Sequence, residues 1–205
     1  CPGTLPTIAA TGSPSAGSGN QPAGAAGSVD FDGTNDFLTV TADCDLHKSD
    51  FTAEAWIYTD SASTNYQTLF CSPKYYSTTG GGSNGNWIIR RTNSSTIAWA
   101  SYDIQTNEEY VEWTAATSES TWYHVAVVRT GTSSGALKLY LNGTACSVSS
   151  GTAISSKNLI DGSTGIRIGE ESVGGPGNVP WNGHISNARL TRNAVYQGNF
   201  IPSAP

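Results

Sequence analysis

Residues 51–58 read FTAEAWIY. In an extended chain Phe51, Ala53, Ala55 and Ile57 fall on one side, and Thr52, Glu54, Trp56 and Tyr58 on the other. A period of two with one wholly apolar side is the pattern of a strand packed on one face. The same alternation returns in NWIIRR (86–91), TIAWASY (96–102), YVEW (110–113), WYHVAVVR (122–129), LKLYLNG (137–143) and GIRIGE (165–170). Clusters of Gly, Ser, Asn and Asp separate these runs, among them TTGGGSNGN (78–86), RTGTSSG (129–135) and GGPGN (174–178). No segment carries a helical period. Many short strands without helices predict an all-β chain, a two-sheet sandwich or a barrel.

The chain has 205 residues, enough for one domain with a two-layer core. Residues 13–27, SPSAGSGNQPAGAAG, are low in complexity and read as a loop or linker. A first strand in TLPTIAA (4–10) precedes them and favours the loop. Only 13% of residues are charged, and the formal net charge is −6. Ten scattered Lys and Arg residues exclude a nucleic-acid partner, whose phosphates need a basic patch. No apolar run approaches the roughly 20 residues that a membrane-spanning helix requires, so no membrane insertion is expected. Cys1, Cys44, Cys71 and Cys146 form no CxxC pair, which argues against zinc held by thiolates. An even number in a polar chain of exported type predicts two disulfides, with three pairings open, and buried free thiols are the alternative. Cys1 is either the acylated residue of a bacterial lipoprotein or simply where the numbering starts.

Six blocks, taken in order, define a resemblance. They are SVDFDGTNDFLTV (28–40), DFTAEAWIY (50–58), TWYHVAVVRTG (121–131), LKLYLNG (137–143), IRIGE (166–170) and WNGHISNARLTRNAVYQGNF (181–200). Together they resemble a laminin-G-like domain of the concanavalin A type, as found in phage and bacterial surface proteins. The resemblance covers residues 1–205 as one domain. It implies a two-sheet antiparallel jelly roll whose relatives bind glycans or serve as structural parts of virions and adhesins. It also implies packing roles for Trp56, Trp122 and His124. Leu137, Leu139 and Leu141 read as core. Asn142-Gly143 suits a type I′ hairpin turn.

Chemistry is sparse. The paired acids of the glucanases that share this fold are missing: Glu108, Glu109 and Glu112 are the nearest set, and their spacing lacks the middle acid. No G-x-S-x-G motif or P-loop occurs. The expectation is therefore a non-catalytic binding module outside the cell, on a cell surface or on a virion. Its expected partner is a glycan or surface polysaccharide, and the alternative is a virion or fibre subunit that makes only protein contacts. Among the aromatic residues, Tyr75 and Tyr76, with Asn84, Asn86 and Trp87, form the expected ligand-binding rim. One acidic cluster stands out. Asp30, Asp32, Asn35 and Asp36 lie within VDFDGTNDFLTV (29–40). It reads either as a tight turn or as the ligand set of a structural calcium ion. It is not an EF-hand loop, because no glycine stands sixth and no glutamate twelfth counting from Asp30.

Overall fold

The computed structural model describes residues 6–17, 19–41, 45–61, 66–72, 86–102, 108–159, 165–170 and 180–203, the side chains of Tyr102 and Glu108 excepted. Among them are fifteen strands and no helix. They are β1 (Thr7–Thr11), β2 (Ser15–Ala16), β3 (Val29–Asp32), β4 (Phe37–Thr41), β5 (Phe51–Thr59), β6 (Gln67–Cys71), β7 (Asn86–Asn93) and β8 (Thr96–Tyr102). There follow β9 (Glu108–Thr114), β10 (Tyr123–Arg129), β11 (Leu137–Leu141), β12 (Thr144–Ala145), β13 (Val148–Gly151), β14 (Ile166–Ile168) and β15 (Asn182–Thr191). One sheet has eight strands in the order β1-β4-β14-β6-β7-β8-β9-β13. The other has seven, ordered β12-β11-β10-β5-β15-β3-β2. Every pairing is antiparallel. The two sheets form a jelly-roll sandwich, as the alternation predicts.

The core follows from that alternation. Phe51, Ala53, Ala55 and Ile57 of β5 are all buried between the sheets. Phe51 stacks on Trp87 of β7 and Trp99 of β8, with ring centroids 6.4 and 5.4 Å away. Arg129, at the end of β10, lies over the same Phe51 ring at 5.0 Å. Burial lowers its pKa to about 10, so it remains charged at neutral pH. Its guanidinium donates to the carbonyls of Ser49 and His47 and to Ser155 Oγ, tying the segment before β5 to the sheet. Asn142 and Gly143 both have positive φ (49° and 77°), which makes the β11–β12 connection a type I′ turn.

Residues 13–27 are a packed surface loop that contains β2. Gly17 N donates to Ser28 O (2.8 Å), and Asn20 Oδ1 accepts from Trp122 Nε1 (3.1 Å). The C-terminal tail is held just as firmly, on the outer face of the seven-stranded sheet. A one-residue bulge between Ser186 and Arg189 turns Arg189 outward, opposite Glu54. Glu54 then accepts from Arg189 Nε (2.7 Å) and Tyr196 Oη (2.8 Å), and its Oε2 lies 3.1 Å from His124 Nε2. Burial pushes the Glu54 carboxyl up. Hydrogen bonds from His124, Tyr196 and Arg189, with the Arg189 charge, outweigh it and hold the pKa at about 2. Tyr196 and Phe200 stack on each other, and Phe200 packs on Tyr140 (5.4 Å) and His124 (5.8 Å).

The expectation of two disulfides fails. Cys146 is a free thiol, which leaves too few cysteines for two bridges, and Cys1 and Cys44 lie outside the described residues. Cys71 Sγ donates to Glu170 O (3.3 Å), while Cys146 packs against the main core.

Candidate functional site

Register across the eight-stranded sheet sets up its outer face. Arg167 of β14 lies opposite Cys71 of β6, then Ile88 of β7, Ala100 of β8 and Tyr110 of β9. Four strand spacings make this row about 19 Å long. Cys71, Ile88 and Ala100 form a small buried cluster, with Tyr110 packed against it. The adjacent row carries Arg90 of β7 and Glu112 of β9, both flanking Ala98. Because Trp87, Ile89 and Arg91 face the interior, Arg90 must face outward.

Arg90 Cζ sits 4.3 Å from the centroid of the Tyr66 ring, just ahead of β6. Tyr66 is 46% exposed, the one exposed large aromatic residue among the described residues. Beside it, Glu112 Oε1 accepts the Thr92 hydroxyl. Burial and then the Glu112 carboxylate raise the Tyr110 phenol, opposed by the Arg90 charge. Tyr66, Arg90, Tyr110 and Glu112 thus form one electrostatic cluster. Across the sheet Arg167 Cζ repeats the motif, 4.3 Å from the Phe37 ring centroid. Two strand spacings and two residues place the two arginines about 12 Å apart at the backbone. A ring face takes the apolar C–H side of a sugar. A guanidinium supplies a fork of donors to hydroxyls or carboxylates, and a carboxylate accepts from hydroxyls.

The residues expected from sequence fare unevenly. Tyr75, Tyr76 and Asn84 lie outside the described residues. Asn86 begins β7 on this outer face, with a buried Oδ1 that has no hydrogen-bond partner. Trp87 is corrected: it is 1% exposed and stacked against Trp99 and Phe51 in the core, so no ligand reaches it. Sequence reasoning missed Tyr66, Arg90 and Arg167. Alternation in NWIIRR did carry the signal for Arg90.

Glu109 and Glu112, the acids of β9 whose side chains are described, do not assemble for hydrolysis. Glu109 turns away from Glu112 and accepts from Ser156 N (2.8 Å) and Ser101 Oγ (3.3 Å). Carboxyls on opposite faces of β9 cannot flank one glycosidic bond. The side chain of Glu108 is outside the described residues.

The proposed calcium set is also corrected. Calcium takes six to eight oxygens around one centre. Asp36 is buried, and its two oxygens accept from Ser13 N (2.6 Å) and Asp32 N (3.1 Å). Asp32 Oδ1 accepts from Thr34 N (2.8 Å) and Asn35 N (3.4 Å), an Asx turn around Gly33, whose φ is +73°. Asn35 is exposed. Asp30 faces His184 instead, with 3.7 Å between Oδ1 and Nδ1. Asp32 and Asp36 therefore fix a turn, and the four residues are not gathered around one centre as a calcium ion requires.

On the outer face of the other sheet a second row runs Asp30 (β3), His184 (β15) and Tyr58 (β5), with Trp122 next. Tyr58 lies 5.4 Å from both Trp122 and His184, ring to ring. Asp60 Oδ2 stands 4.0 Å from His184 Nε2.

Two antiparallel sheets packed face to face, with an exposed tyrosine over an arginine on one outer face, define a jelly-roll domain. The chain belongs to the concanavalin A-like lectin/glucanases superfamily, whose family profile matches residues 32–198. No curated protein sequence matches it. Among solved structures it is similar to the heptameric SAP-like pentraxin of Limulus polyphemus, with 18% identity, a TM-score of 0.56, and 82% of this chain and 77% of that one covered. It is similar too to the CBM40 of the Ruminococcus gnavus IT-sialidase, whose structure holds α2,3-sialyllactose: 16% identity, TM-score 0.53, coverage 74% and 80%. A third similar structure is botulinum neurotoxin type C, whose cell entry depends on two ganglioside molecules, with 13% identity and a TM-score of 0.64. There 93% of this chain matches only 44% of the toxin chain. At these identities the likeness is one of fold.

Proposed function

We propose that the protein is a non-catalytic carbohydrate-binding module that works in adhesion outside the cell, on a cell surface or on a virion. The observation that carries this reading is the exposed Tyr66 ring, backed by Arg90 and flanked by Tyr110 and Glu112 on the outer face of the eight-stranded sheet. The ring stacks on a sugar, while Arg90 and Glu112 select its hydroxyl pattern. The sialyllactose held by the CBM40 and the gangliosides of the neurotoxin support a glycan as the ligand class. Tyr75, Tyr76 and Asn84, in the segment that follows β6, lie outside the described residues and are proposed as further ligand contacts. The test is a glycan array, run with the labelled wild type and with Tyr66→Ala and Arg90→Ala. Binding by the wild type, lost in both variants at unchanged melting temperature, is expected. Binding that survives both substitutions places the site elsewhere.

A second reading, a structural subunit of a virion or fibre, draws on the sheet edges. All of β1 and all of β13, the two edges of the eight-stranded sheet, are exposed. Unpaired edges accept strands from other chains. A silent array together with ordered self-assembly favours it.

A further inference from the structure

Asp30 lies on β3 and His184 on β15, and Asp60 follows the end of β5, three neighbouring strands of the seven-stranded sheet. Each offers one ligand atom, and the three atoms lie within 4.8 Å of one another. Three observations mark the cluster as a site. First, His184 is the one ion-pair partner of either aspartate among the described residues, so two carboxylates converge without a Lys or Arg. Second, His184 Nδ1 is buried and has no hydrogen-bond partner, a costly state for an imidazole nitrogen. Third, the ring is fixed in place. Tyr58 and Trp122 pack against it, and Gly17 lies so close that a Cβ there would stand 3.0 Å from Nδ1.

We propose that these residues form a divalent transition-metal site, of the class that takes Zn²⁺, independent of the glycan face. An imidazole nitrogen with two carboxylate oxygens suits zinc or its neighbours, whereas calcium and magnesium prefer oxygen alone. Bonds of about 2.1 Å require ligand atoms about 3.4 Å apart. One nitrogen of His184 and one oxygen of each aspartate lie within 4.8 Å of one another, and rotamer shifts of Asp30 and Asp60, which are 42% and 44% exposed, close that distance. Three protein ligands leave the remaining position for water or a ligand oxygen. The ion joins β3, β15 and the end of β5, and cancels the paired negative charge.

The experiment uses the full chain without a histidine tag, stripped with chelator, then titrated with ZnCl₂ and with CaCl₂ in calorimetry and thermal melts. Saturable one-to-one zinc binding that raises the melting temperature is expected, with no shift from calcium. Asp60→Asn changes an exposed side chain and is expected to stay folded and lose the shift, as is His184→Ala. Co²⁺ substitution is expected to give a spectrum without a thiolate charge-transfer band, which excludes the cysteines as ligands. No saturable zinc binding, zinc binding retained by Asp60→Asn, a thiolate band, or calcium binding equal to zinc overturns the proposal. None of these outcomes depends on the glycan array.

Discussion

Replacing Glu54 by Gln uncouples the C-terminal tail from the sheet in a pH-dependent way. Its carboxyl is 4% exposed and gathers His124, Arg189 and Tyr196. The folded pKa of about 2 lies below the ordinary 4.5, so the carboxylate stabilises the fold. The sign follows from linkage. The contribution is complete above about pH 4.5 and disappears as the pH falls through about 2. At about 1.4 kcal/mol per pH unit, the full contribution is about 3 kcal/mol. That is a large share of the roughly 5–15 kcal/mol that holds a domain folded. Urea unfolding followed by tryptophan fluorescence, from neutrality down to about pH 2, measures it. Wild type is expected to lose about 3 kcal/mol more than Glu54→Gln over that interval, and the two curves should approach each other in acid. Hydrogen exchange at the backbone amides of Val195 and Phe200, which bond Thr52 Oγ1 and Gly143 O, should rise first in the variant. Parallel stability curves for the two proteins would refute the assignment of that low pKa to Glu54.

Two further outcomes follow from the corrected residues. Asp36→Ala leaves Ser13 N and Asp32 N without their carboxylate acceptor, and is expected to cost about 2–4 kcal/mol in urea unfolding. Chelator added to the wild type should not reproduce that loss; if it does, the turn holds a metal after all. Thiol labelling of native protein, mapped by peptide mass, is expected to leave Cys71 unmodified until unfolding. Cys146 should react slowly and faster with rising pH, because burial raises its thiol pKa. Recovery of Cys146 in a disulfide-linked peptide contradicts its free thiol.

The sandwich was legible wherever alternation ran unbroken, as in β5, β7 and β10. It was illegible where a bulge interrupts the period. In β6 the register shifts between Thr68 and Phe70, and both Leu69 and Phe70 enter the core, so QTLFC does not read as a strand. In β15 the bulge after Ser186 has the same effect and also delivers Arg189 to Glu54. The sites were harder still. Arg90 can be placed outward from its neighbours, but its partner Tyr66 precedes another strand. Asp30, Asp60 and His184 meet only because β5, β15 and β3 are adjacent in the sheet, an order that no local pattern contains. The dense acids of 29–36 misled for a physical reason. Carboxylates close to turn amides spend their lone pairs on those amides, and proximity in sequence favours that outcome over convergence on an ion.

The two outer faces are not equivalent, and the difference bears on where a ligand binds. On the seven-stranded sheet the chain covers its own outer surface from both sides. The loop before β3 reaches across to Trp122 through Asn20 and to Ser186 through Gly27 O. The tail buries Ala126, Val128 and Tyr140 under Ala194, Tyr196 and Phe200. A glycan there would have to displace contacts that Glu54 fastens with three side chains. On the eight-stranded sheet Tyr66 needs no such displacement, because its ring already stands 46% exposed. The low pKa of Glu54 and the exposure of Tyr66 thus belong to one argument. Releasing the tail by Glu54→Gln should leave glycan affinity at Tyr66 unchanged, and an affinity that falls with tail release would move the binding face to the seven-stranded sheet.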